Sequence, residues 1–179
     1  FIENNIHFIN RLNKDFPDAT VHSDIETTPN EFSIYIANEF FDALPIIQIE
    51  RYKEKFRKLM IKKDNNGILK KEFVFFENLE IDKYLDKNEL KDGDIYEFSN
   101  EANNITEIVA NKIKTHGGFI FFADYGYTEL KHKSTLSSMK DNKITNFLDN
   151  LGHQDLTAHV NFKKINTAFK NCGIYNLQI

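Results

Sequence analysis

Two short runs of mostly apolar residues limit the folds that this sequence can adopt. They span Phe32–Ala37 and Gly118–Ala123, and both are rich in β-branched and aromatic side chains. A helical pattern over Asn104–Thr115 precedes the second run, and a Gly-Gly break separates the helix from the strand. Continuous apolar strands are typical of parallel sheets that are covered on both faces. A helix that leads into such a strand indicates an α/β fold.

The two ends of the sequence carry the same alternation of helix and strand. Apolar residues between Ile6 and Phe16 recur at helical spacing, and a short extended stretch, Thr20–His22, follows. Near the other end, the pattern predicts a helix over Phe162–Asn171 that Gly173 terminates. We expect a last strand over Ile174–Ile179.

The middle of the sequence predicts an antiparallel insertion at about residues 46–98. Ile46–Arg51, Lys58–Lys63 and Leu69–Phe76 alternate apolar with polar residues, and Asp64–Gly67 is a hairpin turn signal. A further short strand is predicted over Ile95–Phe98. Alternating strands can stand outside a main sheet, so we expect this insertion to contact a partner or a protein substrate and not a cofactor.

Composition excludes several classes of protein. The 179 residues are 41% hydrophobic, which is enough for one globular domain, and no apolar run approaches the roughly 20 residues of a membrane span. A net charge of −4 offers no basic field for nucleic acid. The six histidines show no ligand spacing, so no metal site is predicted. We therefore expect a soluble, intracellular protein, with no nucleic acid and no membrane span.

Acidic and amide side chains follow the predicted strands. Ligands of open parallel sheets bind at the carboxyl ends of the strands, so these residues are candidates for a site. A cluster of acids there favours a ligand rich in hydroxyl and amine donors, such as a nucleoside. The candidates are Glu3, Asp24, Asn38, Glu39, Asp42 and Asp124.

The segment from Asn38 to Pro45 supports two interpretations. The carboxylates of Glu39 and Asp42 flank two aromatic residues directly after a buried strand. Such rings can line a pocket while the acids orient a cationic group. A capped helical turn with an aromatic pair in the core explains the same residues, and the sequence alone does not separate the two.

Several long segments of this sequence form specific motifs. They are Ile36–Pro45, Asp124–Tyr127, Thr135–Leu136, Gly152 and Asp155–Phe162. These segments resemble the MidA-like methyltransferases, a family that includes a mitochondrial complex I assembly factor that dimethylates an arginine. Glu97 and Ser99 also resemble the family's Glu-x-Ser-Pro element, although Asn100 stands in the proline position.

The resemblance implies a Rossmann-like class I sheet, a single partial methyltransferase domain over residues 1–179, and S-adenosyl-L-methionine as cofactor. It implies methyl transfer to an arginine of a protein, with a respiratory complex subunit as one candidate substrate. It also implies a location in the cytoplasm of a bacterium or in the mitochondrial matrix of a eukaryote. The implied roles are catalysis for Glu39 and Asp42, cofactor binding for Glu3, Asp24 and Asn38, and substrate binding for Phe40, Phe41, Asp124 and Tyr125.

One departure from the family is an absence. Class I methyltransferases hold the cofactor with a Gly-x-Gly loop, and none of the seven glycines here forms one. We therefore expect an internal fragment, a split gene product or a decayed copy. A non-catalytic interaction module is the main alternative. A nicotinamide-dependent oxidoreductase would need the same loop and would not explain the matching segments.

Overall fold

The computed structural model describes residues 1–75, 90–129 and 131–175. Their regular elements are, in chain order, α1 (Ile6–Asp15), a 3-10 turn (Ile25–Thr27), β1 (Ser33–Asn38), β2 (Ile47–Tyr52), β3 (Lys55–Lys63), β4 (Leu69–Phe75), β5 (Ile95–Phe98), α2 (Asn100–His116), β6 (Gly118–Ala123), β7 (Gly126–Tyr127), β8 (Ser137–Lys140), β9 (Lys143–Ile144), β10 (Asp155–Thr157), β11 (Val160–Asn161) and α3 (Phe162–Asn171).

These elements form two compact units. The first unit comprises Phe1–Ala37, Asn103–Phe122 and Lys164–Ile179, and the second comprises Asn38–Ala102 and Ala123–Lys163. The first contains α1, most of β1, β6 and the greater parts of α2 and α3. The second contains the antiparallel sheets and the loops that follow β1 and β6. No α-helix in the described ranges has both the length and the apolar character needed to cross a membrane.

The helices form where local sequence signals place them. The side chain of Asn5 accepts the N–H of His7 and begins α1. Helix α2 begins at Asn100, four residues before the predicted start, because Ser99 Oγ accepts the N–H of Ala102 at 3.1 Å and provides an N-cap. A serine cap needs no apolar periodicity, so a prediction from periodicity alone misses it.

The end of α3 lies where Gly173 predicts it. Gly173 has a φ of +89°, its N–H donates to Lys170 O, and the N–H of Ile174 donates to Phe169 O. This is the Schellman arrangement, in which a left-handed residue lets the chain close over the last carbonyls of a helix. Ile174 and Tyr175 form no strand, and the rest of the predicted final strand lies outside the described residues.

Strands β1 and β6 form a two-stranded sheet. The N–H of Ser33 donates to Gly117 O and the N–H of Glu39 donates to Ala123 O, so the register rises in the same direction along both strands and they run parallel. Burial alternates along each strand, and Ile36 and Phe121 are 80% and 75% exposed. The expectation that both faces are covered is therefore wrong for the described residues. Their alternation is that of a sheet covered on one face.

The predicted strand at Thr20–His22 is reduced to one isolated bridge. Ile2 and His22 form an isolated parallel bridge, and the N–H of Glu3 donates to His22 O at 2.9 Å. Glu3 therefore follows a single paired residue and not a full strand.

The predicted antiparallel insertion forms a four-stranded sheet in the order β4-β3-β2-β5. Its hairpin turn closes through the N–H of Gly67, which donates to Asp64 O at 2.9 Å. The register places Ile49 opposite Tyr96, and both pack with Leu90 in a buried cluster on one face. The same register places Gln48 opposite Glu97 on the other face, and both side chains are buried.

The second unit also holds two smaller sheets. One is three-stranded and antiparallel, with the order β10-β8-β9, and the other is the parallel pair of β11 and β7. The latter pair places the start of α3 beside the loop that follows β6.

We predict that Gly118→Ala destabilises the protein much more than Gly152→Ala. Both glycines have positive φ, but a Cβ on Gly118 would lie 2.1 Å from Ser33 O, whereas a Cβ on Gly152 meets nothing within 4 Å. We expect a loss of about 3–4 kcal/mol in the free energy of unfolding at Gly118, above the usual range, and about 1 kcal/mol at Gly152. Urea denaturation of both variants measures this, and equal losses would contradict the close approach of β1 and β6.

Candidate functional site

The carboxylate of Asp124 organises the turn that follows β1. Its Oδ1 accepts the backbone N–H groups of Phe41 at 3.1 Å and Asp42 at 3.2 Å, and the N–H of Phe40 also bonds to this carboxylate. The chain positions are far apart, but β1 and β6 are paired and their carboxyl ends lie side by side. The side chain that follows β6 therefore caps the turn that follows β1.

The other oxygen of Asp124 is unsatisfied among the described residues. Oδ2 is inaccessible to solvent and has no hydrogen-bond partner there. Burial raises the pKa of Asp124, and the charge of Asp42 adds to the rise, although the N–H groups of the turn oppose it. A buried carboxylate oxygen without a donor is costly, and because solvent does not reach this one, a ligand could supply a donor only if the turn opened.

Asp42 is a second buried carboxylate beside the first. Asp42 is 5% exposed. Burial raises the pKa of Asp42, and repulsion from Glu39 raises it further. Its backbone carbonyl accepts the N–H of Ala158 at 2.9 Å. A carboxylate that is desolvated in this way is a stronger base than one in water.

Glu39 is held in an unusual backbone conformation. Its φ is +47°, in the left-handed region that non-glycine residues rarely adopt, and its N–H donates to Ala123 O at 2.8 Å. Such strain costs about 1–3 kcal/mol and clusters at ligand sites. The conformation sets an exposed carboxylate beside the buried Asp42.

Three consecutive N–H groups of Ala158–Val160 hold the site together. The N–H of Ala158 donates to Asp42 O, that of His159 to Thr135 Oγ1 and that of Val160 to Tyr125 O, at 2.8–2.9 Å. The segment from Ala158 to Val160 thus joins the loop after β1 to the loop after β6. Tyr125 itself is 66% exposed.

Glu97 holds Thr135 in the position where its hydroxyl accepts the N–H of His159. The buried Glu97 carboxylate accepts hydrogen bonds from Gln48 Nε2, from Ser134 Oγ, from Thr135 N and Oγ1, and from Leu136 N. The hydroxyl of Thr135 donates its only hydrogen to Glu97, so its lone pairs accept the N–H of His159. Burial and the nearby charge of Glu97 also raise the pKa of Tyr127 to about 12.

The structure brings together part of the predicted site. The rings of Phe40 and Phe41 pack edge to face at 5.2 Å, with Phe41 buried, and Asn38 is the exposed last residue of β1. The predicted residues that share the second unit are Asn38, Glu39, Phe40, Phe41, Asp42, Asp124 and Tyr125. Their roles in binding and catalysis stay predictions.

Glu3 and Asp24 belong to the first unit and each has a local contact. Glu3 Oε1 accepts the N–H of Asn5, and Asp24 Oδ1 accepts the N–H of Glu26, both at 2.8 Å. These bonds are those of helix and turn caps. Their predicted role in cofactor binding stays a prediction.

Sequence reasoning assigned no site role to His159, Lys131, Thr135 or Glu97. His159, Thr135 and Glu97 lie within matching segments, so a signal was present for them, but their role depends on contacts between distant segments. Lys131 lies outside those segments, and the sequence carried no signal for it. No group of three or more His, Cys, Asp or Glu side chains able to hold a metal ion occurs within the described residues.

Comparison with known proteins shows which family this arrangement belongs to. A family model described as "Putative S-adenosyl-L-methionine-dependent methyltransferase" matches residues 5–178. The mitochondrial protein arginine methyltransferase NDUFAF7 of Xenopus tropicalis is 34% identical over 79% of this chain and 33% of its own length. Its homologue from Caenorhabditis elegans is 29% identical over 84% of this chain and 36% of its own length.

A solved structure has the same fold. A protein of Burkholderia thailandensis, crystallised with S-adenosyl-homocysteine, superposes with a TM-score of 0.72 at 20% identity, over 92% of this chain and 44% of its own. The predicted α/β fold of a class I methyltransferase with an antiparallel insertion is thereby confirmed.

The chain spans about a third of the length of the curated relatives that it matches. The family match nevertheless extends over almost all of its residues. The chain therefore belongs to the MidA-like family of S-adenosyl-L-methionine-dependent methyltransferases.

Proposed function

We propose that this chain contributes the substrate side of an S-adenosyl-L-methionine-dependent methyltransferase that acts on an arginine side chain of a protein. The observation that carries the proposal is the pair of desolvated carboxylates, Asp42 and Asp124, with the unsatisfied Asp124 Oδ2. The names of the curated relatives support an arginine as the methylated group.

A guanidinium group meets the needs of this acid cluster. It is a planar cation with five N–H donors, and it pairs with carboxylates through strong, charge-assisted hydrogen bonds. If the turn after β1 opens to admit the side chain, one such donor would satisfy Asp124 Oδ2, which is closed to solvent and has no partner among the described residues. The exposed Glu39 and the half-buried ring of Phe40 can guide the side chain into place.

Methylation of a guanidinium nitrogen requires the loss of a proton from that nitrogen. The cofactor supplies the methyl group on a sulfonium, which is already a good leaving group, so the protein has to align the nitrogen and exclude water. Asp42 accepts the proton in our proposal, because its burial and the charge of Glu39 make it a better base than an exposed aspartate.

We propose, as the family resemblance implies, that Glu3, Asp24 and Asn38 bind the cofactor. The carboxylates of Glu3 and Asp24 are acceptors of the kind that ribose hydroxyl and adenine amino groups bind, and Asn38 carries an amide. The amino-acid end of the cofactor requires backbone donors, and the sequence has no Gly-x-Gly segment to supply them. That absence is the feature that favours the alternative function, a non-catalytic interaction module or a decayed methyltransferase.

The cellular setting follows from the same relatives. Their names place them in mitochondria, so we propose the mitochondrial matrix if the source is a eukaryote and the cytoplasm if it is a bacterium. The substrate is a protein, and a subunit of a respiratory complex is the candidate that the family resemblance suggests.

A chimera tests the proposal directly. This chain would replace the matching third of the Xenopus tropicalis relative, and transfer of tritiated methyl from S-adenosyl-L-methionine to protein arginine would be measured. We expect transfer that requires the inserted chain's acids. A folded chimera that binds the cofactor and transfers no methyl group would favour the non-catalytic alternative.

We predict that Asp124→Asn stabilises the chain and weakens guanidinium binding. Asparagine keeps an oxygen for the N–H groups of Phe41 and Asp42 but removes the desolvated charge, and relief of such a functional strain is worth about 0.5–2 kcal/mol. The raised pKa of Asp124 means that the wild-type carboxyl is itself neutralised as the pH falls. The difference in stability is therefore largest at neutral pH and closes at low pH.

Thermal denaturation across this pH range, with arginine-peptide titration in parallel, measures both effects. Asp18→Asn is the control, because it removes the same charge from an exposed turn. Loss of stability on Asp124→Asn would show that the carboxylate is only a structural cap.

We predict that alanine substitutions of acids in the two units have different effects in the chimera, one on cofactor affinity and the other on turnover. Glu3→Ala should weaken cofactor binding by about 1–3 kcal/mol, as expected for hydrogen bonds to a charged group, with turnover at saturation less affected. Glu39→Ala or Asp42→Ala should lower turnover and leave cofactor affinity nearly unchanged. Calorimetric titration and methyl-transfer rates separate the two, and full turnover in both of the latter variants would reject their catalytic roles.

We predict that the 179-residue chain alone binds S-adenosyl-L-methionine weakly. The backbone donors for the amino-acid end of the cofactor are not encoded as a Gly-x-Gly loop, and each lost bond to a charged group removes affinity. Isothermal titration measures this, and micromolar affinity would overturn the expectation.

A further inference from the structure

His159 projects from a segment whose neighbours are buried. Ala158 and Val160 are 5% and 6% exposed, while His159 is exposed. Their three N–H groups are all engaged at the candidate site, which fixes the backbone on both sides of the imidazole. The side chain of His159 therefore extends from a backbone held by hydrogen bonds, one residue after Ala158, whose N–H donates to Asp42 O.

Lys131 determines which nitrogen of the His159 ring carries a proton. Lys131 Nζ lies 2.8 Å from His159 Nδ1 and 5.4 Å from the centroid of the Tyr127 ring. An ammonium group has donors and no acceptor, so Nδ1 must accept this hydrogen bond. The neutral imidazole then carries its proton on Nε2, and both residues present donors.

These donors lie beside the acid cluster. The N–H of Ala158 donates to Asp42 O, so His159 follows directly after a residue bonded to the Asp42 loop, and its ring is close enough to interact with the Asp42 carboxylate. The site therefore combines acceptors for a cation, on Glu39, Asp42 and Asp124, with a separate group of donors.

We propose that Lys131 and His159 form a second subsite that binds an oxygen acceptor carried by the substrate close to its methylated arginine. This inference rests on the proposed function, because the acid cluster has to hold the guanidinium. The acceptor is a main-chain carbonyl or an acidic side chain, both of which offer lone pairs to N–H donors. His159 is a substrate-positioning residue, and Lys131 acts through it.

The test uses the full chain and three short peptides titrated by calorimetry. One contains Arg next to Glu, the second contains Arg next to Gln, and the third contains Lys in place of Arg next to Glu. The variants are Lys131→Met and His159→Ala, with Lys131→Arg and His159→Gln as the conservative partners that retain donors. Imidazole ¹⁵N chemical shifts of His159 report the tautomer in the wild type and in Lys131→Met.

We expect the Nε2–H tautomer in the wild type and a mixture of tautomers in Lys131→Met. Both arginine peptides should bind about tenfold more weakly to Lys131→Met and His159→Ala, the loss expected for one hydrogen bond to a charged group. Lys131→Arg and His159→Gln should restore most of the affinity. Tighter binding of the Glu peptide would identify an acidic side chain as the acceptor, and equal binding a main-chain carbonyl.

Two results separate this inference from the proposed function. Unchanged affinity in both Lys131→Met and His159→Ala, with wild-type preference for arginine, would overturn the subsite and leave the function standing. Equal binding of the lysine peptide, still dependent on Lys131, would leave the subsite standing and contradict arginine recognition. No binding of any peptide to the wild type would overturn both.

Discussion

The buried carboxylate of Glu97 is the contact on which the second unit depends. Removing a carboxylate from water costs several kcal/mol unless its oxygens are bonded, and five donor groups bond this one. These donors come from β2 and from residues 134–136, so a single side chain of β5 fixes two separate segments. Through Thr135 it also orients the N–H of His159. The antiparallel insertion is therefore part of the support for the site and not only an appendage.

The sequence predicted the elements whose signals are local. The helix between Ile6 and Phe16, the hairpin at Asp64–Gly67 and the end of α3 at Gly173 each depend on a few neighbouring residues, and each was confirmed. The start of α2 was missed because a serine cap extends a helix beyond its apolar pattern. The predicted burial of β1 was too high, because an apolar sequence does not indicate whether other elements cover one face of the strand or both.

The sequence predicted which acids lie at the candidate site but not the hydrogen bonds that connect them. The order of strands in an α/β sheet places residues after β1 and β6 at one edge, so Glu39, Asp42 and Asp124 were all identified from position. Which of them is buried, and which lacks a partner, depends on contacts over 80 residues apart in the chain. The pairing of Lys131 with His159 likewise requires the three-dimensional fold.

Two buried acids of this molecule, Glu97 and Asp42, have different surroundings. Glu97 and Asp42 are each 5% exposed, so burial alone does not distinguish them. Glu97 accepts bonds from side chains and backbone on every side, and its environment is complete without a ligand. The Asp42 carboxylate accepts the backbone N–H groups of Ala43 and Asp42 but lies near the charge of Glu39, and Asp124 Oδ2 has no donor among the described residues. Two acids that repel each other in a desolvated turn lower the stability of the fold, and a bound cation removes both penalties at once. In the function that we propose, the free energy that the turn loses without a ligand is recovered as affinity for a guanidinium group.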